Sequence, residues 1–129
     1  MRPANQHQAY RQTSTLTAPP GRIVLMLYDG TLRYLEAAMV GLTLNDPAES
    51  NMTVNNNLQK AQGIIRELNW VLDLDKGGEL AATLSRLYDY FDRRLQNSNL
   101  TKTRTGIDEV IVLLTELRNS WHQMLHNRE

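Results

Sequence analysis

Apolar residues recur at spacings of three and four along three stretches of this chain, and no other feature restricts its fold so strongly. The three rows are Leu58, Ala61, Ile65, Leu68 and Leu72; Leu80, Leu84, Leu87, Phe91 and Leu95; and Ile107, Val110, Leu114, Leu117, Trp121 and Met124. Such spacing keeps one face of an α-helix toward a neighbour, whereas a strand needs a period of two. The pattern predicts an all-α protein.

An earlier stretch, Arg22 to Leu44, is apolar around most of its circumference and is expected to be the most buried helix. Proline and glycine separate the helices: Pro47 ends the first and Gly77-Gly78 separates the second from the third. We expect helices near 22–44, 58–72, 79–97 and 102–126, with a frayed Asn-rich approach at 51–57. Short connections favour an antiparallel up-down four-helix bundle at 21–126, with residues 1–20 as a mobile arm in one domain, 1–129.

Composition removes several classes of function. The 14 Lys and Arg balance the 14 Asp and Glu, so no net field favours nucleic acid or an anionic membrane. Cysteine is absent, which excludes thiolate catalysis, zinc knuckles and iron–sulfur clusters. The longest apolar run, Ile23 to Tyr28, is too short to span a bilayer. We expect a cytoplasmic protein without membrane insertion or nucleic-acid binding.

Residues that could carry catalysis or hold a metal have simpler explanations. His122 and His126 are four apart, a spacing that can serve one metal ion, but cations are also favoured at a helix C-terminus. No Glu precedes a His by three, as a di-iron carboxylate bundle requires. Gly77-Gly78 lacks the Lys of a phosphate-binding loop. We therefore expect no enzyme activity, no cofactor and no metal.

Some apolar residues lie off the periodic rows, and these are the candidates for a partner-binding surface. Ile64, Val71, Tyr88 and Ile111 belong to this group. They either widen the buried stripe of their helices or form an exposed apolar surface that binds a partner helix. Both readings stay open. Ile64 and Val71 are seven apart, so they lie on one line along the helix, and we expect them to be partly exposed.

The tripeptide Leu27-Tyr28-Asp29 recurs as Leu87-Tyr88-Asp89, sixty residues later. Two helices with equivalent positions in one bundle account for this echo without duplication.

Taken in order, blocks of this sequence resemble the flagellar secretion chaperone family called FliS, from about position 9 to 125. These blocks are Ala9-Tyr10-Arg11-Gln12-Thr13-Ser14, Ala18-Pro19, Leu25-Met26-Leu27-Tyr28-Asp29-Gly30, Lys60-Ala61, Glu67-Leu68-Asn69, Leu72-Asp73, Gly77-Gly78-Glu79-Leu80-Ala81, Leu87-Tyr88-Asp89-Tyr90, Glu109-Val110, Leu117-Arg118 and Trp121. The resemblance implies a helical bundle in the bacterial cytosol that binds the disordered C-terminal segment of flagellin and presents it to the flagellar type III export apparatus.

The resemblance also implies that the arm, including Tyr10, lies over part of the client groove. Tyr10 and Leu16 are the arm's only sizeable apolar side chains, so they are its expected anchors. The expected client-binding residues are Tyr10, Leu16, Ile23, Tyr28, Ile64, Val71, Tyr88, Ile111 and Trp121. A monomer or weak homodimer is expected. The alternative is a helical module that associates with itself through the same surface and has no dedicated client.

Overall fold

The computed structural model describes residues 20–72 and 74–127 of the chain. Within these residues there are four helices and no strand: α1 (Pro20–Gly41), α2 (Pro47–Trp70), α3 (Leu74–Thr101) and α4 (Thr105–Asn127). Short connections join consecutive helices, and each helix packs against two others in a closed ring, α1 to α2 to α3 to α4 and back to α1. This is the expected antiparallel four-helix bundle.

The second helix begins earlier than expected. Asp46 is its N-cap and accepts a hydrogen bond from the Ala48 backbone N–H at 3.1 Å, while Pro47 occupies the first turn. The stretch 51–57 is helical, and Asn55 accepts a hydrogen bond from the Asn99 side chain of α3 at 2.9 Å. The expectation of a frayed approach was wrong, because a capped start and a cross-helix amide pair stabilise this part of α2.

The expected break at Gly77-Gly78 is present as an interruption inside α3. Gly78 has φ +56° and ψ −135°, a backbone conformation that residues with a Cβ adopt only with strain. At its other end α3 continues to Thr101, beyond the expected Asn97. Lys102 then takes φ +53°, and the Thr103 N–H bonds to the Ser98 carbonyl at 3.2 Å, which closes the helix.

The rows of α2 and α4 form much of the core, as their spacing predicted. Leu58, Ala61, Ile65 and Leu68 are buried on α2, and Ile107, Val110 and Leu114 on α4. Toward the C-terminal end of α4 the row becomes half-buried at Leu117 and Trp121, and Met124 is 38% exposed. The bundle therefore has its tightest core in the middle and at the α1–α2 turn end.

The α3 row differs from the expected one. Leu80 is 65% exposed and Leu87 is half-buried, whereas Tyr88 is buried. The buried row keeps spacings of three and four, but Ala81 and Tyr88 take the places of the predicted Leu80 and Leu87. The interruption at Gly78 lies just before the first of these changes. The members of the buried row are Ala81, Leu84, Tyr88, Phe91, Leu95 and Ser98.

Candidate functional site

Three aromatic residues expected at the client site meet inside the bundle. The hydroxyls of Tyr28 and Tyr88 are 2.5 Å apart, and their rings have centroids 6.5 Å apart. Trp121 of α4 packs edge-on against Tyr28, also with a centroid separation of 6.5 Å. The repeated tripeptides thus place their tyrosines on the diagonal helices α1 and α3 so that the two hydroxyls join across the core.

Burial of the tyrosine pair separates it from any surface role. Tyr28 is fully buried and Tyr88 is 2% exposed, so neither ring is available for direct contact with a partner in this conformation. The structure thus places these two expected client-site residues in the core, where their hydroxyls bond to each other. Their part in client binding stays a prediction. Burial raises the pKa of both tyrosines, and for Tyr88 the neighbouring Tyr28 raises the pKa further.

Trp121 is half-buried and anchors the end of α4 to the start of α1. Its indole N–H donates to the Gly21 carbonyl at 2.8 Å. Three residues earlier on α4, Arg118 donates to the Asp29 carboxylate at 2.8 Å, and this hydrogen bond raises the pKa of Arg118. The indole N–H thus joins the two helices, while part of the side chain stays accessible.

Ile64 and Val71 do not share one environment, although they lie on one line of α2. Ile64 is only 4% exposed, and its Cδ1 would be 3.4 Å from a Cβ added at Gly30 of α1. Val71 is 46% exposed, because it is the C-cap residue just after the last turn of α2. The expectation that Ile64 is partly exposed was wrong, because α2 packs closely on α1 and buries Ile64 beside the predicted row.

Two of the other expected client-binding residues lie in the part of the chain that the structure describes, and two do not. Ile23 on α1 and Ile111 on α4 are half-buried and pack against the edge of the core. Each therefore presents apolar surface without being part of the buried interior. Tyr10 and Leu16 lie outside the described residues.

Exposed apolar residues that the sequence analysis did not assign to the site flank the α2–α3 connection. Trp70 is 83% exposed, Leu80 is 65% exposed, and with Val71 they form what we call the turn patch. Trp70 lies between Leu68 and Leu72 of the periodic row, and a residue two positions from a core residue faces away from it. That offset was the signal for an outward-facing tryptophan. The exposure of Leu80 had no such signal, since it fitted the α3 row.

The turn patch lies at a defined end of the bundle. In an antiparallel up-down arrangement, the C-terminal end of α2 and the N-terminal end of α3 are at the same end as the start of α1 at Pro20 and the end of α4 at Asn127. Pro20, the first described residue, therefore lies at the end of the bundle that carries the turn patch.

Polar contacts join the helices on the outer flanks of the bundle. Between α2 and α3, the buried Gln62 amide donates to the Asp92 carboxylate at 2.8 Å, and Arg66 pairs with the same carboxylate at 3.2 Å. Between α3 and α4, Glu109 accepts from Tyr90 at 2.5 Å and from Arg94 at 2.8 Å. These contacts fix helix orientation and contain no nucleophile and base arranged for catalysis.

The electrostatics of the Glu109 cluster follow from those hydrogen bonds. Hydrogen bonds to the Glu109 carboxylate lower its pKa; the bond from Tyr90 has the largest effect and the bond from Arg94 the next largest. The same bond to Glu109 raises the pKa of Tyr90, because ionising the phenol would destroy it. The cluster therefore stays as a carboxylate, a guanidinium and a neutral phenol at neutral pH.

Across residues 20–72 and 74–127, no group of three or more His, Cys, Asp or Glu side chains is arranged to hold a metal ion. In the same residues, no helix is both long and apolar enough to cross a membrane.

Comparison with known proteins agrees with the resemblance noted in the sequence. The chain matches the family model of the flagellar protein FliS over residues 3–128. It is 38% identical over 123 residues to the flagellar secretion chaperone FliS of Bacillus subtilis (strain 168), which covers 95% of this chain and 88% of that protein. The corresponding protein of Salmonella typhimurium is 37% identical over 122 residues, covering 91% of this chain and 87% of that protein.

A further relative, the flagellar secretion chaperone FliSB of Pseudomonas aeruginosa, is 35% identical over 109 residues, or 84% of this chain and 83% of that protein. The match extends over both the bundle and most of the segment that precedes it. With its four-helix architecture and a family match along nearly its whole length, this chain belongs to the FliS family of flagellar secretion chaperones.

Proposed function

We propose that this chain is an export chaperone that binds the disordered C-terminal segment of flagellin in the bacterial cytosol. By occupying that segment it prevents premature polymerisation, and it delivers flagellin to the flagellar type III export apparatus. The observation that carries the proposal is the family match over residues 3–128, together with relatives named flagellar secretion chaperones. No catalytic step is part of this function.

The accessible apolar residues of the bundle support a binding role. The turn patch offers a tryptophan that is 83% exposed, and Ile23, Ile111 and Trp121 are half-buried at the edge of the core. An amphipathic client helix can place its i, i+3, i+4 and i+7 side chains on such surfaces. Aromatic side chains contribute most to interfaces of this kind, which makes Trp70 and Trp121 the strongest candidates for client contact.

The buried members of the expected site have a supporting role in this proposal. Tyr28, Tyr88 and Ile64 lie behind the accessible residues and keep helices α1, α2 and α3 in a fixed arrangement. Tyr10 and Leu16 are proposed to anchor the arm over part of the client surface and to release it when flagellin binds.

Affinity for the client is expected to be moderate. Ordering a disordered segment on binding costs a few kcal/mol of the gross interaction energy, about 2 to 5. The complex can therefore form in the cytosol and still be separated during export.

The test uses the exposed tryptophan as a reporter. Titration of the full chain with a synthetic flagellin C-terminal peptide should shift the emission of Trp70 to shorter wavelength in a saturable way, because the client covers a side chain that is otherwise in water. The Trp70→Phe variant keeps only the emission of Trp121, so the difference between the two proteins gives the signal of Trp70. Circular dichroism of the mixture should show more helix than the sum of the two components.

Matched variants locate the surface. Val71→Ser is expected to weaken peptide binding about tenfold, or about 1.4 kcal/mol, without lowering the melting temperature, since Val71 is 46% exposed. Val40→Ser is the control, because Val40 is 62% exposed but lies at the opposite end of the bundle. Equal effects of the two variants would contradict client binding at the turn patch.

Light scattering at the titration concentrations separates the proposal from self-association. A chaperone should be monomeric or weakly dimeric when free and form a one-to-one complex with the peptide. A stable oligomer that covers Trp70 and does not respond to the peptide would instead support the self-associating module.

A further inference from the structure

The last two turns of α4 bring two imidazoles into contact. The Nε2 atoms of His122 and His126 are 2.8 Å apart, and their ring centroids are 4.1 Å apart with the rings at 63°. Both side chains leave the same face of the helix because they are four residues apart. His122 is half-buried and His126 is exposed, so solvent reaches the pair.

The separation of these nitrogens is close to that of two ligands on one metal ion. Imidazole nitrogens bind zinc at about 2.0–2.1 Å. Two such nitrogens that subtend an angle of about 90 to 110° at the metal are therefore about 2.8 to 3.4 Å apart. Tetrahedral zinc sets the separation at about 3.3–3.4 Å. The two nitrogens, 2.8 Å apart here, would therefore move apart by about half an ångström on binding.

Each of the two histidines also has an explanation without a metal, because cations are favoured at a helix C-terminus. That preference explains each histidine separately, and the contact between their Nε2 atoms is an N–H···N hydrogen bond in which one imidazole donates to the other. The bond brings two imidazole nitrogens to a common point, where a metal ion can replace the shared proton. The geometry of the pair is the observation that sequence spacing could not supply.

We propose that His122 and His126 form a two-histidine site for a borderline divalent transition-metal ion such as Zn²⁺, bound through the two Nε2 atoms. Imidazole is a preferred ligand for this class of ion, whereas Mg²⁺ and Ca²⁺ require oxygen ligands. The described residues contain no group of three or more candidate metal ligands, so the pair leaves at least two positions on the ion for water or for a ligand from another molecule.

A bound ion would join two successive turns of α4. The same helix end carries Trp121, whose indole N–H bonds to the Gly21 carbonyl of α1. Binding would therefore stabilise the last turns of α4 on the bundle, and the melting temperature should rise with metal concentration. This site is independent of the proposed client function.

Calorimetric titration of the full chain with ZnCl₂ at pH 7.5 tests the proposal. We expect one Zn²⁺ per chain with sub-millimolar affinity, and no heat of binding with MgCl₂. The His122→Asn and His126→Asn variants should each weaken Zn²⁺ binding about tenfold or more, while circular dichroism shows unchanged helix content.

The third histidine provides the matched control. His7→Asn removes one imidazole from the chain and should leave Zn²⁺ affinity within about twofold of the unmodified protein. Failure to saturate below millimolar Zn²⁺ would overturn the proposal. So would an affinity that His7→Asn lowers as much as His122→Asn does, because the ion would then be bound elsewhere.

Discussion

The paired hydroxyls of Tyr28 and Tyr88 lead to the most specific prediction about stability. The two oxygens are 2.5 Å apart, and the side chains are 0% and 2% exposed. Replacing one tyrosine by phenylalanine keeps the ring in place but leaves the other hydroxyl buried without its partner. Replacing both removes the donor and the acceptor together.

The cost of each change follows from the burial of the remaining group. An unsatisfied buried hydroxyl costs about 1–3 kcal/mol, whereas removing both partners of a buried hydrogen bond can be nearly neutral. We therefore expect Tyr28→Phe and Tyr88→Phe each to lower the free energy of unfolding by about 1–3 kcal/mol. The double variant should lose less than the sum of the two single losses by at least about 1 kcal/mol.

Chemical denaturation of the four proteins measures this cycle, with circular dichroism as the signal. Tyr34→Phe is the control, because Tyr34 is half-buried and its ring lies under the Lys60 ammonium at 5.6 Å. It should change the unfolding free energy by less than about 0.5 kcal/mol. Additive losses in the double variant, or single losses no larger than that of the control, would refute the reasoning.

Three other outcomes follow from the structure. Ile64→Ala should lower the free energy of unfolding by about 2–5 kcal/mol, whereas Val71→Ala should cost less than about 0.5 kcal/mol in a parallel denaturation series. Gly78→Ala should cost about 1–2 kcal/mol, since Gly78 has φ +56°; a neutral result would show that the interruption in α3 relaxes. Burial holds the pKa values of Tyr28 and Tyr88 above the ordinary value of 10.0. Their contribution to the free energy of unfolding is therefore complete below pH about 10 and falls above it, by up to about 1.4 kcal/mol per pH unit for each tyrosine. The double phenylalanine variant should lose unfolding free energy less steeply in alkaline denaturation.

Apolar patterning, with proline and glycine as breaks, predicted the helices and their order, because an apolar row at spacings of three and four can be buried only if the segment is helical and has a partner. The Gly77-Gly78 pair located the interruption, where glycine tolerates the required backbone angle. Helix ends were less well predicted. The start of α2 depended on the Asp46 cap, and the end of α3 on Lys102 at φ +53°, both of which are single local interactions.

For the candidate site, sequence and tertiary structure determined different properties. The sequence identified Tyr28, Tyr88, Ile64 and Val71 as apolar residues off the rows or in a repeated tripeptide, but it could not say which of them reach solvent. Exposure depends on how each helix is rotated against its neighbours. Close packing of α1 on α2 buries Ile64, and the end of α2 leaves Val71 exposed.

The sequence by itself therefore determined the all-α class, the four-helix bundle and the resemblance to the FliS family, since these depend on residue types and their spacing along one chain. Only the tertiary structure decided that the two tyrosines bond across the core, that Trp70 and Leu80 are exposed beside Val71, and that the Nε2 atoms of His122 and His126 meet. The physical reason is that periodicity specifies a helix face. The contacts of that face are set by the rotation, kink and rotamers that all four packed helices adopt together.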